Sequence, residues 1–189
     1  ATDALYANLG DVFLAHEQRH SVIEALAKGQ WSDDPAVNTA IVDEILSMEA
    51  ALDQPLGVIE PLMPQINALM AGDDLNGISD RLLGYEGDNV WLQKARDGFA
   101  HGSKLAACWI FRQLNESANY SLKEVFDTEL RLGANIMRHP EFAEGVRALL
   151  VDKDRQPKWQ FATVQDVPMD VLESFFAEPL GAPNMYYPW

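Results

Sequence analysis

The sequence predicts a mainly α fold with at most one short strand near its start. Apolar residues recur at helical spacing along most of the 189 residues, and strand-like alternation is nearly absent. Proline, glycine and Ser/Asp/Asn fall where helices start and stop.

In chain order, "DALYANLG" reads as the last two turns of a helix closed by Gly10 in the left-handed conformation. "DVFL" is a short apolar run, a strand or an extended connection. A helix is expected from His16 to Lys28, with Val22, Ile23 and Leu26 on one face. In "SDDPAVNTAIVDEILSMEAAL", Asp34 takes the N-cap and Pro35 the first helical position. Three prolines and two glycines break "DQPLGVIEPLMPQINALMAGDD" into turns and one short helix after Pro61 or Pro64. Helices follow in "LNGISDRLLGY", "DNVWLQKARDGFAHG" and "GSKLAACWIFRQLNES". "SLKEVFDTELRLGANIMRH" opens on a capping box, Ser121 and Glu124. "PEFAEGVRALLVDKDRQPKW" has Pro140 at its start and Pro157 to terminate it. "PMDVLESFFAEP" forms a last short helix before the aromatic tail "MYYPW". There is no internal repeat and no low-complexity segment.

Composition narrows the function classes. The net charge is −15, from 29 acidic and 14 basic side chains, so a phosphate backbone is repelled and nucleic acid is not an expected partner. No run approaches the roughly 20 apolar residues of a membrane span, so no membrane partner is expected. Cys108, the single cysteine, lies in an apolar stretch and reads as a small core residue. One cysteine and no visible targeting segment suit a cytoplasmic location. The opening in mid-helix suggests that something upstream has been removed.

One motif invites a wrong conclusion. "HEQRH" has the spacing of a zinc peptidase helix: His16 and His20 as ligands, Glu17 on the bound water, and Glu44 at a distance suited to a third ligand. Arg19 argues against it, because a cation beside a dication costs affinity. His16 also falls at the start of its helix, where both imidazoles would be solvated. A solvated helix face is expected, with no metal site.

The segment 139 to 159 departs from the rest of the chain. Arg147, Lys153, Arg155 and Lys158 crowd together in an acidic protein and run into Trp159. Cations ending in an indole suit an anionic ligand that carries a ring. Alternatively, Asp152 and Asp154 pair with these cations and Trp159 packs on the core.

"EFAEGVRALLVDKDRQPKW" resembles the signature of the 3-hydroxyisobutyryl-CoA hydrolases, within the enoyl-CoA hydratase/isomerase (crotonase) superfamily. Glu144, Gly145, Val146, Arg147, Ala148, Asp152, Lys153, Asp154, Pro157, Lys158 and Trp159 match its E-G-V-R-A, D-K-D and P-K-W elements. Upstream, Glu129 and Arg131 fall in an E-x-R-L portion. The family usually has Ser-Pro where His101-Gly102 stand, and commonly a glycine at Asn8.

The resemblance implies the helical C-terminal region of a crotonase-fold (α/β) enzyme. Residues 1–29 would close the core, 30–101 form a helical insert, and 102–189 the C-terminal helical region. It implies a hydrolase whose acyl-CoA substrate is 3-hydroxyisobutyryl-CoA, in valine breakdown, with no cofactor beyond the CoA moiety. The alternatives are a hydratase or isomerase of the same superfamily, or a non-catalytic helical assembly module. Lys153, Arg155, Lys158 and Trp159 are the implied CoA contacts, and Arg147 is expected to pair with Glu144. The family's catalytic carboxylates and oxyanion hole lie upstream of these residues. No catalytic residue is therefore expected here, and the chain alone is expected to be inactive. The expected partners are the upstream crotonase core and, as in many crotonases, further copies in a homo-oligomer.

Overall fold

A computed structural model describes residues 1–49 and 54–179. The "MYYPW" tail lies outside the described residues. Ten α-helices and no strand are present among those residues, and "DVFL" is an extended connection. No helix among them is long and apolar enough to cross a membrane. The chain forms two compact units, residues 1–68 and 69–189.

The first unit contains α1 (Thr2–Tyr6), α2 (Arg19–Lys28), α3 (Pro35–Glu49) and α4 (Ile59–Leu69). α1 ends in a Schellman motif. The Leu9 and Asn8 amides donate to Ala4 and Leu5 carbonyls, with Asn8 at φ 54°. Asn8, and not Gly10, is therefore the left-handed residue; asparagine tolerates that region better than any other side chain except glycine's hydrogen.

His16–Gln18 form a 3₁₀ turn ahead of α2, and the Gln18 side chain accepts from the Ala15 amide. Both histidines of "HEQRH" are exposed and lie on different elements, and His20 hydrogen-bonds Glu24. Val22 is buried against α3, whereas Ile23 is 52% exposed and does not share its face.

Asp34 caps α3 as expected, accepting from the Ala36 amide. α4 departs from expectation by beginning before both prolines. Its first amides are capped from far away in sequence: Asp3 Oδ1 accepts from Val58 N at 2.7 Å and Ile59 N at 2.8 Å. Pro61 then sits where no intrahelical donor is needed, and only Pro64 removes a ladder bond.

In the second unit, α5 (Leu75–Leu83) and α6 (Val90–His101) pack together, capped by Asp74 and Asn89. Lys104 follows at the start of α7 (Lys104–Ser117) and is only 5% exposed. Its ammonium donates to the Phe99, Ala100 and Gly102 carbonyls at 2.6, 3.0 and 3.0 Å and lies 5.0 Å from the Phe99 ring. It thus closes the negative end of α6.

α8 (Leu122–Ile136) starts on the expected Ser121–Glu124 capping box. α10 (Met169–Phe176) lies across α7 and α8, and Leu105, Leu132 and Phe175 form the core between them. Cys108 is buried in α7, its Sγ 3.8 Å from the Val164 carbonyl, and burial pushes its thiol pKa up.

α9 (Pro140–Val146) takes its N-cap from His139, then widens into a π-helical turn over Arg147–Val151. The helix stops there, six residues ahead of Pro157. The residues from 152 to 160 form an irregular segment and not a continued helix.

Candidate functional site

Arg147 organises everything that follows α9. Its Nε and Nη2 grip Glu144 in a two-pronged pair at 2.9 and 2.8 Å. Nη1 donates to Asp152 at 2.6 Å and Asp154 at 2.7 Å, and Nη2 also reaches the Gln156 carbonyl at 3.2 Å. A guanidinium has five N–H donors, and this pattern engages them all. The expected Glu144–Arg147 pair is present as part of this larger clamp.

The clamp reshapes its own titration. Hydrogen bonds from Arg147, then from the Lys158 amide at 2.7 Å, lower the Glu144 pKa to about 2. Asp154 is lowered mainly by Arg147, and Arg147 is raised mainly by Glu144.

Of the two readings of the basic cluster, local pairing holds for Arg147 and not for the other three cations. Asp152 and Asp154 pair with Arg147. Lys153, Arg155 and Lys158 are exposed and hold no ion pair among the described residues. The backbone alternates to allow this: Lys153 and Arg155 both take φ 56°, an uncommon value for a residue with a Cβ, on either side of Asp154.

Trp159 is only partly free. Its Nε1 donates to the His101 carbonyl at 2.7 Å, and its ring lies against Gly145, where an added Cβ would sit 3.3 Å from the indole. Glycine at 145 therefore admits the indole, and only the rest of the ring is available to a ligand.

A cavity of about 590 Å³ lies among α6 to α10 in the second unit. Leu105, Trp109, Ile136 and Phe175 supply apolar wall, while His101, Glu141, Arg155 and Trp159 supply polar groups. Two of the four sequence-predicted contacts, Arg155 and Trp159, thus line the cavity; Lys153 and Lys158 do not. All four lie on the irregular segment after the π-helical turn, and not on the helix that was expected to run to Pro157.

Sequence reasoning missed Glu141. It is only 9% exposed, accepts from the Ser103 hydroxyl, and accepts from the Gln160 amide at 2.8 Å. It joins the start of α7, the first turn of α9 and the end of the basic segment. In sequence it looks like any acid near a helix N-terminus, so no local signal marks it. Among the described residues no His/Cys/Asp/Glu group is arranged to hold a metal ion.

Comparison with known proteins agrees with the signature. The enoyl-CoA hydratase/isomerase family model matches residues 1–176. The chain is 32% identical over 135 residues to the mitochondrial 3-hydroxyisobutyryl-CoA hydrolase of Gallus gallus, covering 71% of this chain and 34% of that protein. The enzymes of the same name from Xenopus laevis and Homo sapiens are 35% and 30% identical over 72% and 79% of this chain, and 34% and 38% of theirs. The chain thus spans about a third of the length of these relatives.

Among solved structures, a carnitinyl-CoA dehydratase from Mycobacterium thermoresistibile superposes with a TM-score of 0.74 at 23% identity. It covers 95% of this chain and 48% of its own, a likeness of fold. An enoyl-CoA hydratase from Rhodobacter sphaeroides 2.4.1 gives 0.61 at 26% identity, over 76% of this chain and 42% of its own. With the family model matched across nearly its whole length and these helices shared with crotonase-fold enzymes, the chain belongs to the enoyl-CoA hydratase/isomerase family.

Proposed function

We propose that this chain supplies the helical, CoA-contacting part of an acyl-CoA thioester hydrolase acting on 3-hydroxyisobutyryl-CoA. The observation that carries this is the state of the D-K-D…P-K-W segment. Lys153, Arg155 and Lys158 hold no ion pair among the described residues, and Arg155 lines, with Trp159, a cavity whose walls are mostly apolar. Lys153, Arg155 and Lys158 suit the phosphates of CoA, and the accessible part of Trp159 suits its adenine or pantetheine. The relatives' names point to the acyl group, and a place in valine breakdown is what the resemblance of the signature implies.

Chemistry is assigned to an upstream crotonase core and not to these residues. Glu141, Glu144, Asp152 and Asp154 are each held in hydrogen bonds that fix the segment, and none of them is arranged as an acid–base pair. The chain by itself is therefore proposed to bind CoA without turning over its thioesters. Copies of the complete protein are proposed to assemble as a homo-oligomer.

A second reading, a hydratase or isomerase on the same fold, is favoured by the family description and by the enoyl-CoA hydratase neighbour. The upstream core, once joined, separates the two by whether it releases free CoA or hydrates an enoyl-CoA.

Calorimetric titration of the chain with CoA tests the binding role. Saturable binding that weakens in Lys158→Ala is expected. No binding, or identical affinity in Lys158→Ala, Lys153→Ala and Arg155→Ala, would refute the CoA contact. Thioester turnover by the chain alone would refute the assignment of chemistry elsewhere.

A further inference from the structure

We propose that Arg147 is a positioning residue that acts by sequestration. It withdraws Asp152 and Asp154 from the cations beside them, and so keeps Lys153 and Arg155 open to a polyanionic ligand. Identifying that ligand as CoA rests on the reading above; the sequestration itself does not.

In the order Asp152-Lys153-Asp154-Arg155, every cation has a carboxylate next to it in sequence. A flexible segment of this kind tends to neutralise itself, because opposite charges a few ångströms apart attract without any ordering by the rest of the fold. The structure shows the opposite outcome. Both aspartates turn to one guanidinium at 2.6 and 2.7 Å, and the backbone enters the left-handed region at residues 153 and 155, on each side of Asp154.

Further hydrogen bonds fix that conformation. The Arg155 amide donates to the Ala148 carbonyl at 3.0 Å, the Gln156 amide to Asp154 Oδ1 at 2.8 Å, and the Lys158 amide to Glu144 at 2.7 Å. With all five donors engaged, Arg147 has none for a ligand, so any effect on binding passes through the segment it holds. A latch that merely closed α9 would need Glu144 alone. Capturing two further carboxylates has a second effect, which is to turn them away from the Lys153 and Arg155 side chains in a chain of net charge −15.

The test is a rescue. The intact chain, Arg147→Gln, and the triple variant Arg147→Gln/Asp152→Asn/Asp154→Asn are titrated with CoA and with inorganic tripolyphosphate, their folding checked by circular dichroism. Arg147→Gln frees two carboxylates beside the cations and should weaken binding at least about tenfold. The triple variant removes those carboxylates and should recover most of the loss, although it has lost more of the clamp. If it stays as weak as Arg147→Gln, or if Arg147→Gln binds like the parent, the proposal is overturned.

Should Arg147→Gln fail to fold, Arg147→Lys against Arg147→Lys/Asp154→Asn carries the same comparison, since lysine cannot span all three carboxylates. A chain that binds tripolyphosphate with this rescue pattern but ignores CoA keeps the sequestration and removes the CoA reading. A chain that binds neither probe overturns both.

Discussion

Replacing Lys104 by methionine should lower the stability of the second unit by about 3 kcal/mol. The stem of the side chain keeps its packing, but three carbonyls at the end of α6 lose a charged donor at 2.6 to 3.0 Å. Hydrogen bonds to charged groups contribute roughly 1.5–3 kcal/mol each, and three at the lower end come to about 4.5 kcal/mol. Desolvation of the ammonium, which lowers its pKa, offsets part of that, and about 1 kcal/mol remains for each of the three carbonyls left without a donor. For a chain of this size the net corresponds to a melting point lower by about 6–12 °C.

The pH dependence supplies a second check. Burial lowers the Lys104 pKa, so the unfolded chain binds more protons than the folded one between the depressed value and about 10.4. This group therefore adds stability as pH rises through that window, and the increment should vanish in Lys104→Met. Thermal melts followed at 222 nm across that range measure both effects. A loss below about 2 °C would show that water satisfies those carbonyls as well as the ammonium does, and that the cap is incidental.

Three other outcomes are expected. Glu144 has its pKa depressed to about 2, so its share of the clamp is complete above its unfolded value of about 4.3 and fades as pH falls toward 2. Hydrogen exchange at the Lys158 amide should lose protection over that interval and not at higher pH. Leu105→Ala, at a side chain 1% exposed between Leu132 and Phe175, should cost about 2–5 kcal/mol in urea unfolding. Gly133→Ala should stabilise by about 1 kcal/mol, because its Cβ would meet nothing within 4 Å among the described residues and α8 gains helix propensity.

Much of the helical frame is legible because its signals are local. Ser121 and Glu124 are three residues apart, Asp34 precedes Pro35, and each cap forms where it was expected. The departures arise where a distant residue decides. α4 begins ahead of Pro61 because Asp3, more than fifty residues upstream, supplies the cap. The helix after Pro140 stops at Val151 because the aspartates beyond it turn back to Arg147, a choice that composition does not reveal. At Asn8 and Gly10 two tolerant residues competed for one left-handed position, and spacing from the last helical turn selected the asparagine.

The site divides in the same way. Its cations could be named from the D-K-D…P-K-W string, but their freedom from ion pairs depends on which carboxylates Arg147 takes. Trp159 was named for its ring, yet its N–H is spent on His101 and part of its surface on Gly145. Glu141 required the fold itself, since Ser103 and Gln160, 38 and 19 residues away, meet it only when the chain is folded.

Cys108 has a practical consequence for any assay of thioester cleavage. Free CoA is commonly detected by a coloured disulfide reagent that also reacts with protein thiolates. This chain carries one sulfhydryl, enclosed in α7, and its ionised form is disfavoured by burial. Rapid colour then reports the product. In this chain a slow, stoichiometric increase reports the opening of the helical core, so the trace separates local unfolding from any turnover.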